Sequence, residues 1–384
     1  MNFEFATAGR IVFGAGKFQE IGALTKNAGK RALIVTGRNT QRAEPLLALL
    51  RESSTDAVAF SVSGEPEIET VRSGVAFAKQ EGCDFVIGFG GGSAIDAGKA
   101  IAAMLTNEGD VLDYLEIIGG GKSLAKRSAP CIAVPTTAGT GAEVTRNSVL
   151  ASPEHRVKVS LRSALMLPRL VIVDPKLTYD LPPFLTASTG LDALTQLIEP
   201  YVCLRANPMT DALCVEGIHY AARSLRRAFE NGHDADARKD MSVASLFSGM
   251  ALANAGLGAV HGFAGPIGGM FPAPHGMICA TLLPHVMQAY LRALRERDPH
   301  NHAFSRYFEI ARLVTGNPHA TAESGIQWVR QLVKDLHIAP LGTYGITSLH
   351  IGELVEKAGQ ASSMKANPAA LTPAELGAIL EQAT

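Results

Sequence analysis

The residues able to do chemistry fall into two groups along this 384-residue chain. In the second half, TGLDALTQLIEP sets Asp192 and Gln196 four positions apart, on one face of a helix. HGFAGPIGGMFPAPHG adds His261 and His275, fourteen positions apart. Two imidazoles and a carboxylate suit a first-row divalent metal. Spacing leaves this open, because fourteen Gly- and Pro-rich residues fix no geometry and a lone histidine in such a segment is more often structural.

The first half carries glycines and hydroxyls instead. GFGGGSAIDAGKA places Gly90, Gly91 and Gly92 between an apolar run and a helical one. Glycines there let a backbone approach a pyrophosphate, and the helix start offers N–H groups and the positive end of the dipole. Ser93 is a candidate N-cap or phosphate donor, and Asp96 is a cofactor contact or simply an acid in the first helical turn. The dinucleotide fingerprint G-x-G-x-x-G fails because Ile95 stands at its last position, and a P-loop fails at Ser93 and Ala100. VPTTAGTGAEVT then gathers Thr136, Thr137 and Thr140 with Gly139 and Gly141 behind another apolar run. Hydroxyls and glycines at the carboxyl end of a strand suit a polar ligand in the crevice of a sheet, though a solvated loop has the same composition.

The elements that must position these groups follow from periodicity. RALIVTG (31–37), AVAFSVS (57–63), DFVIGFGGG (84–92), PCIAVPTT (130–137) and RLVIVDP (169–175) read as buried strands, with helical spacing in QRAEPLLALLRES, IETVRSGVAFAKQEG and SAIDAGKAIAAMLTN. This alternation predicts a parallel sheet covered on both faces. After about Pro183 strand signals nearly vanish and long helical stretches take over. We therefore expect an α/β domain over 1–183 and an all-helical domain over 184–384.

Composition narrows the function. Hydrophobic residues make up 47% and charged residues 18%, enough for a large core and against disorder. A net charge of -1 gives no electrostatic case for nucleic acid or an anionic membrane. No apolar run reaches 18 residues and the N-terminus lacks the pattern of a signal peptide, so a cytoplasmic protein is expected. The five cysteines contain no CxxC pair and read as buried thiols in a reducing compartment, Cys279 among them.

GGGSAID and PTTAGTGAEVT, in this order and separation, resemble the signatures of the iron-dependent (group III) alcohol dehydrogenases. RIVFGAGKFQEIG, TGLDALTQLIEPYV, ANPMTDAL and VHGFAGPIGGMFPAPHG resemble the same family, so the likeness runs from about residue 5 to about residue 290. The resemblance implies an N-terminal dinucleotide-binding domain and a C-terminal helical domain, with metal and substrate in the cleft between them. It places Gly91, Gly92, Ser93 and Asp96 along the pyrophosphate and nicotinamide, Thr136, Thr137 and Thr140 at adenine and ribose groups, and Lys158 along the cofactor. Asp192, His261 and His275 become catalytic metal ligands. Two positions depart from the pattern: the family usually has histidine where this chain has Gln196, and often another where it has Gly265. Glycerol dehydrogenases and dehydroquinate synthases resemble this architecture and use one carboxylate and two histidines, so a three-ligand site is expected, with Gln196 a weak neutral candidate ligand and iron or zinc as the metal. His285 matches a family motif and reads as structural.

VTGRNTQRA (35–43) addresses the cofactor. An acid after such a strand would bind the ribose 2′-hydroxyl and repel a 2′-phosphate. NAD-preferring relatives have Asp where this chain has Gly37, while Arg38 and Asn39 offer donors suited to phosphate. NADP is the expectation and NAD the alternative. The reaction implied is hydride transfer between the nicotinamide and a small alcohol, aldehyde or ketone, with the metal as Lewis acid. The partners expected are that small molecule and a second copy of the chain in a dimer, with no nucleic acid and no membrane. The rivals are a lyase of the dehydroquinate-synthase kind that uses NAD transiently, a metal-free reductase of oxo-acids, and a catalytically silent nucleotide binder.

Overall fold

The computed structural model describes residues 2–384, which form two compact units. One comprises residues 6–137 and 141–178. The other comprises residues 2–5, 138–140 and 179–384.

The first unit is an α/β layer structure. Its strands are β1 (Ile11–Phe13), β2 (Arg31–Thr36), β3 (Asp56–Ser61), β4 (Phe85–Gly90), β5 (Cys131–Pro135), β6 (Asn147–Ser152), β7 (Val157–Arg162) and β8 (Leu170–Val173). Its helices are α1 (Ile21–Thr25), α2 (Glu44–Glu52), α3 (Ile68–Gln80) and α4 (Gly92–Thr106). Six strands form one parallel sheet in the order β1-β8-β5-β4-β2-β3. β2, β4 and β5 are almost wholly buried, which explains why they read as unbroken apolar runs rather than alternating ones. Leu46 and Leu50 of α2 pack with Ile34, Ile87 and Ile132 on one face. Val71 of α3 and Ala97 and Ile101 of α4 pack with Leu33, Val35 and Val86 on the other.

That distribution creates a switch point. The chain leaves β2 over one face towards β3, and leaves β4 over the opposite face towards β5. The helices following these adjacent strands therefore diverge, opening a crevice at their carboxyl ends.

Two local features were not read from the sequence, and one reading is corrected. β1 is only three residues long, too short for a periodic signal. β6 and β7 form a separate antiparallel hairpin; β7 alternates, but two of the buried positions of β6 are Ser148 and Ser152, which hide its pattern. Ser93 is not an N-cap: α4 begins at Gly92 and its cap residue is Gly91, which has no side chain to bond the first turn. Ser93 lies inside that turn.

The second unit is helical: α5 (Pro183–Val202), α6 (Pro208–Glu230), α7 (Ala235–Asn254), α8 (Ala259–Met270), α9 (His275–Arg297), α10 (His302–Thr315), α11 (Ala322–Asp335), α12 (Ile351–Gly359) and α13 (Pro373–Ala383). α5 packs against α6, α7 and α9 and is buried on every side over most of its length. A helix in that position is expected to be apolar all round, yet Asp192, Gln196 and Glu199 are each at most 5% exposed. Buried polar groups need partners, and these three mark where the unit does its chemistry.

No single helix among the described residues is long and apolar enough to cross a membrane. The apolar pair α7 and α8 is bent by 96°.

Candidate active site

In the α/β unit, the expected cofactor residues converge at the carboxyl ends of β2, β4 and β5. Thr136 N–H donates to Gly90 O at 2.9 Å, carrying the β4–β5 pairing one step past the strands. A Cβ on Gly91 would stand 3.2 Å from Thr137 Cγ2, and one on Gly90 would stand 2.8 Å from Ala94 Cβ and 3.7 Å from Gly37 N. Gly37, Gly90, Gly91, Thr136 and Thr137 are thus immediate neighbours around the switch point. Larger residues at 90 and 91 would push against Ala94 and Thr137 and disturb the turn that presents the start of α4. A Cβ on Gly37 would meet nothing within 4 Å.

Other expected cofactor contacts have employment within the fold. Asn39 caps the following 3₁₀ turn, accepting from Gln41 N at 3.0 Å. Arg38 Nε donates to Ser63 Oγ at 3.0 Å, holding an exposed guanidinium near the end of β3. Lys158 pairs with Glu65 at 3.1 Å. Asp96 accepts from Val149 N at 3.1 Å and pairs with Lys99 at 2.9 Å. Burial raises its pKa, opposed by the Lys99 charge. Thr140 belongs with the helical unit, apart from Thr136 and Thr137.

Lys99 itself carried no role in the sequence reading. It is fully buried and donates to Ala142 O at 2.8 Å, to Thr145 Oγ1 at 2.9 Å and to Asn147 O. One ammonium thereby ties α4 to the segment behind the threonine loop. Glu143 in that segment is also buried, and desolvation pushes its carboxyl up to about 7.

In the helical unit, α5, α8 and α9 bring together the other group. Asp192 Oδ1 lies 3.5 Å from His261 Nε2 and 3.5 Å from His275 Nε2, and the two rings stand 5.4 Å apart. Two glycines permit this approach. A Cβ on Gly276 would fall 2.4 Å from Ser188 O, so only glycine lets the start of α9 press against α5. Gly258, which caps α8, would collide with Glu199 Oε1 at 2.8 Å if it bore a side chain.

Two members of this site were not singled out from sequence. Glu199 Oε2 is 2.6 Å from His261 Nδ1, and its Oε1 accepts from Val260 N at 2.7 Å. A carboxylate on the far nitrogen fixes the ring so that Nε2 faces Asp192, the arrangement common behind metal-bound imidazoles. Its signal was the seven-residue step from Asp192 along one helix face. Cys279 Sγ lies 3.8 Å from His261 Nε2 and 3.7 Å from His275 Nε2. The expectation of a buried free thiol holds as far as burial goes. What it missed is the spacing His275–Cys279, four residues on one helix face.

The donor set fits a divalent cation. Ligand atoms of Asp192, His261, His275 and Cys279 all lie within 4.8 Å of one another. Asp192 Oδ1 is buried with no hydrogen-bond donor, a situation costing about 1–3 kcal/mol for a neutral group and more for a charged one. Burial opposes charge on all three groups, yet the imidazoles hold Asp192 below the usual carboxylate range. Against the same desolvation, Cys279 with Glu199 raises His261, and Cys279 with Asp192 raises His275. A cation would satisfy all of them. His275 is 34% exposed while Asp192 and His261 are buried, so the cluster opens on one side.

Gln196 Nε2 donates to Gly139 O at 3.4 Å, beside Ser248 Oγ at 3.3 Å on the same oxygen. Gly265 has open space where a side chain would start. His285 Nδ1 meets Gln382 Oε1 at 3.3 Å, remote from any metal role.

Comparison with known proteins supplies the context. Residues 8–175 match the family described as iron-containing alcohol dehydrogenase, and residues 186–384 match the C-terminal domain of the Fe-containing alcohol dehydrogenase family. Alcohol dehydrogenase 4 of Schizosaccharomyces pombe is 36% identical over 97% of this chain and 87% of its own length. A 1,3-propanediol dehydrogenase of Klebsiella pneumoniae is 37% identical over 92% of each. Among solved structures, a 1,3-propanediol oxidoreductase superposes over the whole of both chains with a TM-score of 0.92 at 35% identity.

Proposed function

This chain belongs to the iron-containing alcohol dehydrogenase family, and from that premise we propose that Asp192, His261 and His275 hold a catalytic divalent metal and that the crevice around Gly37, Gly91, Gly92 and Thr136 takes NADP. The chain is an oxidoreductase that moves a hydride between a nicotinamide cofactor and an alcohol or its carbonyl counterpart. The relatives compared above are dehydrogenases, and nothing supports the lyase reading.

The metal supplies Lewis-acid stabilisation of negative charge on the substrate oxygen. The chain's own residues do the rest. Glu199 orients His261, α5 holds Asp192 away from water, and the exposed side of His275 leaves room for a small substrate. Gly265 removes a proton-relaying side chain on α8, so proton exchange falls to solvent or to a cofactor hydroxyl. Ser93, Thr137 and Thr140 stay in the proposal as cofactor contacts. Asp96, Asn39 and Lys158 act mainly by holding the loops around the cofactor.

The observation that carries the reading is the orphaned Asp192 Oδ1 equidistant from two imidazole nitrogens. The test combines elemental analysis of the purified protein with NADPH and NADH oxidation across aldehydes, ketones and oxo-acids. One metal per chain and chelator-sensitive turnover are expected, faster with NADPH. Full turnover after complete chelation would instead favour a metal-free reductase. A homodimer in the cytoplasm completes the proposal. All five cysteines are free, as in a reducing compartment, and sedimentation at catalytic concentrations reads the assembly.

A further inference from the structure

The cluster on α5, α8 and α9 contains a fourth donor beyond the three proposed ligands. We propose that the Cys279 thiolate is itself a ligand of the metal, so that the site is a sulfur, two nitrogens and an oxygen and takes zinc in preference to iron(II). This rests on the metal reading above and adds to it a ligand and a metal identity.

The placement is specific. His275 and Cys279 occupy successive turns of one face of α9. Zn–N bonds of about 2.0–2.1 Å and a Zn–S bond of about 2.3 Å give a tetrahedron edges of roughly 3.3–3.6 Å. The structure has Sγ to Nε2 at 3.7 and 3.8 Å and Oδ1 to each Nε2 at 3.5 Å. These four separations come within about two tenths of an ångström of tetrahedral edges, and all four ligand atoms lie within 4.8 Å of one another. An octahedral centre would ask for right-angle edges of roughly 3.0 Å from bonds of the same length. The second, independent sign is the buried Asp192 Oδ1 that no donor reaches.

Gln196 is a poor competitor for the fourth place. Its amide oxygen is neutral and a weaker donor than a thiolate. Thiolate is the softest donor available and favours zinc, whereas iron(II) gains less from it. On metal uptake the thiol proton passes to solvent and the sulfur lone pair forms the bond, with no change in oxidation state. A small substrate would approach the bound metal from the exposed side of His275, and zinc would polarise its oxygen.

Cobalt(II) added alone to metal-stripped full-length protein tests this. A near-ultraviolet sulfur-to-cobalt charge-transfer band is expected in the wild type and in Gln196→Ala. It should vanish in Cys279→Ser while weaker visible bands persist. Zinc affinity of Cys279→Ser should fall at least as far as the roughly 10- to 100-fold loss known for outer partners, and iron(II) affinity should fall less. Visible bands without the charge-transfer band in the wild type would remove Cys279 from the site and leave the metal reading standing. Failure of the wild type to bind cobalt, or binding undiminished in His275→Ala, would overturn the metal reading and this inference together. Should Cys279→Ser fail to fold, the wild-type band and its loss in His275→Ala decide the matter, because Cys279 is the cysteine of this cluster.

Discussion

At the carboxyl ends of β2, β4 and β5, the surface offered to a ligand is peptide backbone, bared by Gly37 and Gly91. At the cluster of α5, α8 and α9, it is side-chain nitrogen, oxygen and sulfur. Side chains matter in the first region too, but they work mainly from behind: Lys99 is wholly buried and Asp96 13% exposed, and together they pin the loops. The difference reflects the ligands. A pyrophosphate is long and anionic and is met by a row of N–H groups on a helix start. A cation is a point charge and needs several electron pairs converging on one spot. The first site is therefore sensitive to added atoms, and the second to removed ones.

Substitutions can break this contrast, and the largest effect is expected at the metal cluster. His275→Ala removes a donor from a site with few to spare. It should abolish stoichiometric metal and cut kcat/KM by about a thousandfold, or roughly 4 kcal/mol of Lewis-acid assistance. Elemental analysis and steady-state kinetics check it. NADPH binding, followed by fluorescence, should survive; if it does not, the two regions are not independent.

Lys99→Met probes the support behind the cofactor crevice. Breaking a buried ion pair from one side costs about 3–5 kcal/mol, here because Asp96 and the acceptors Ala142 O and Asn147 O lose their cation. Thermal denaturation should show the loss, with the cobalt spectrum of the folded protein unchanged.

Glu143→Gln sharpens the picture of the same loop through pH. The carboxyl of Glu143 is raised from 4.5 to about 7 by burial. A raised pKa means its contribution to stability is fully present below pH 4.5 and is lost as pH climbs through about 7. The amide variant escapes that loss. Relative to wild type it should gain up to about 3 kcal/mol between pH 5 and pH 8. Parallel denaturant melts across that range would refute this if the two proteins kept a constant difference.

The smallest effect is expected at the crevice rim. Gly37→Asp fits sterically, since nothing lies within 4 Å of the new Cβ. A carboxylate there should repel a 2′-phosphate and accept from a 2′-hydroxyl. It should move preference towards NADH by about 1–3 kcal/mol. The ratio of kcat/KM values for the two cofactors reads it, and an unchanged ratio would place the 2′ position elsewhere.

How much of each region could be read in advance follows from the same contrast. Gly90, Gly91 and Gly92 are adjacent in sequence and flanked by a strand and a helix, so one local pattern announces the turn. Thr136 and Thr137 announce themselves in the same way. The caps and pairs that occupy Asn39, Asp96 and Lys158 were hidden. Their partners range from Gln41, two residues on from Asn39, to Glu65, ninety-three before Lys158, and a polar side chain reads the same whether it faces ligand or fold. In the helical half, Asp192, His261 and His275 were found through family likeness rather than spacing. Glu199 and Cys279 were passed over because an acid in a helix and a cysteine in an apolar run have commoner explanations.

The sequence by itself determined the alternation of β2 to β5 and β8 with the helices between them, the burial of the sheet and the glycine turn at the start of α4. Those depend on periodicity and on residues a few positions apart, where chain connectivity already limits the geometry. Only the tertiary structure decided which side chains share the candidate metal cluster. Asp192, Glu199, His261, His275 and Cys279 come from three helices, and their meeting depends on Gly276 lying against Ser188 O and Gly258 against Glu199. Convergence of that kind is a property of packed surfaces. Linear spacing does not record it, because a loop of fourteen residues can close on many points, and only packing selects one.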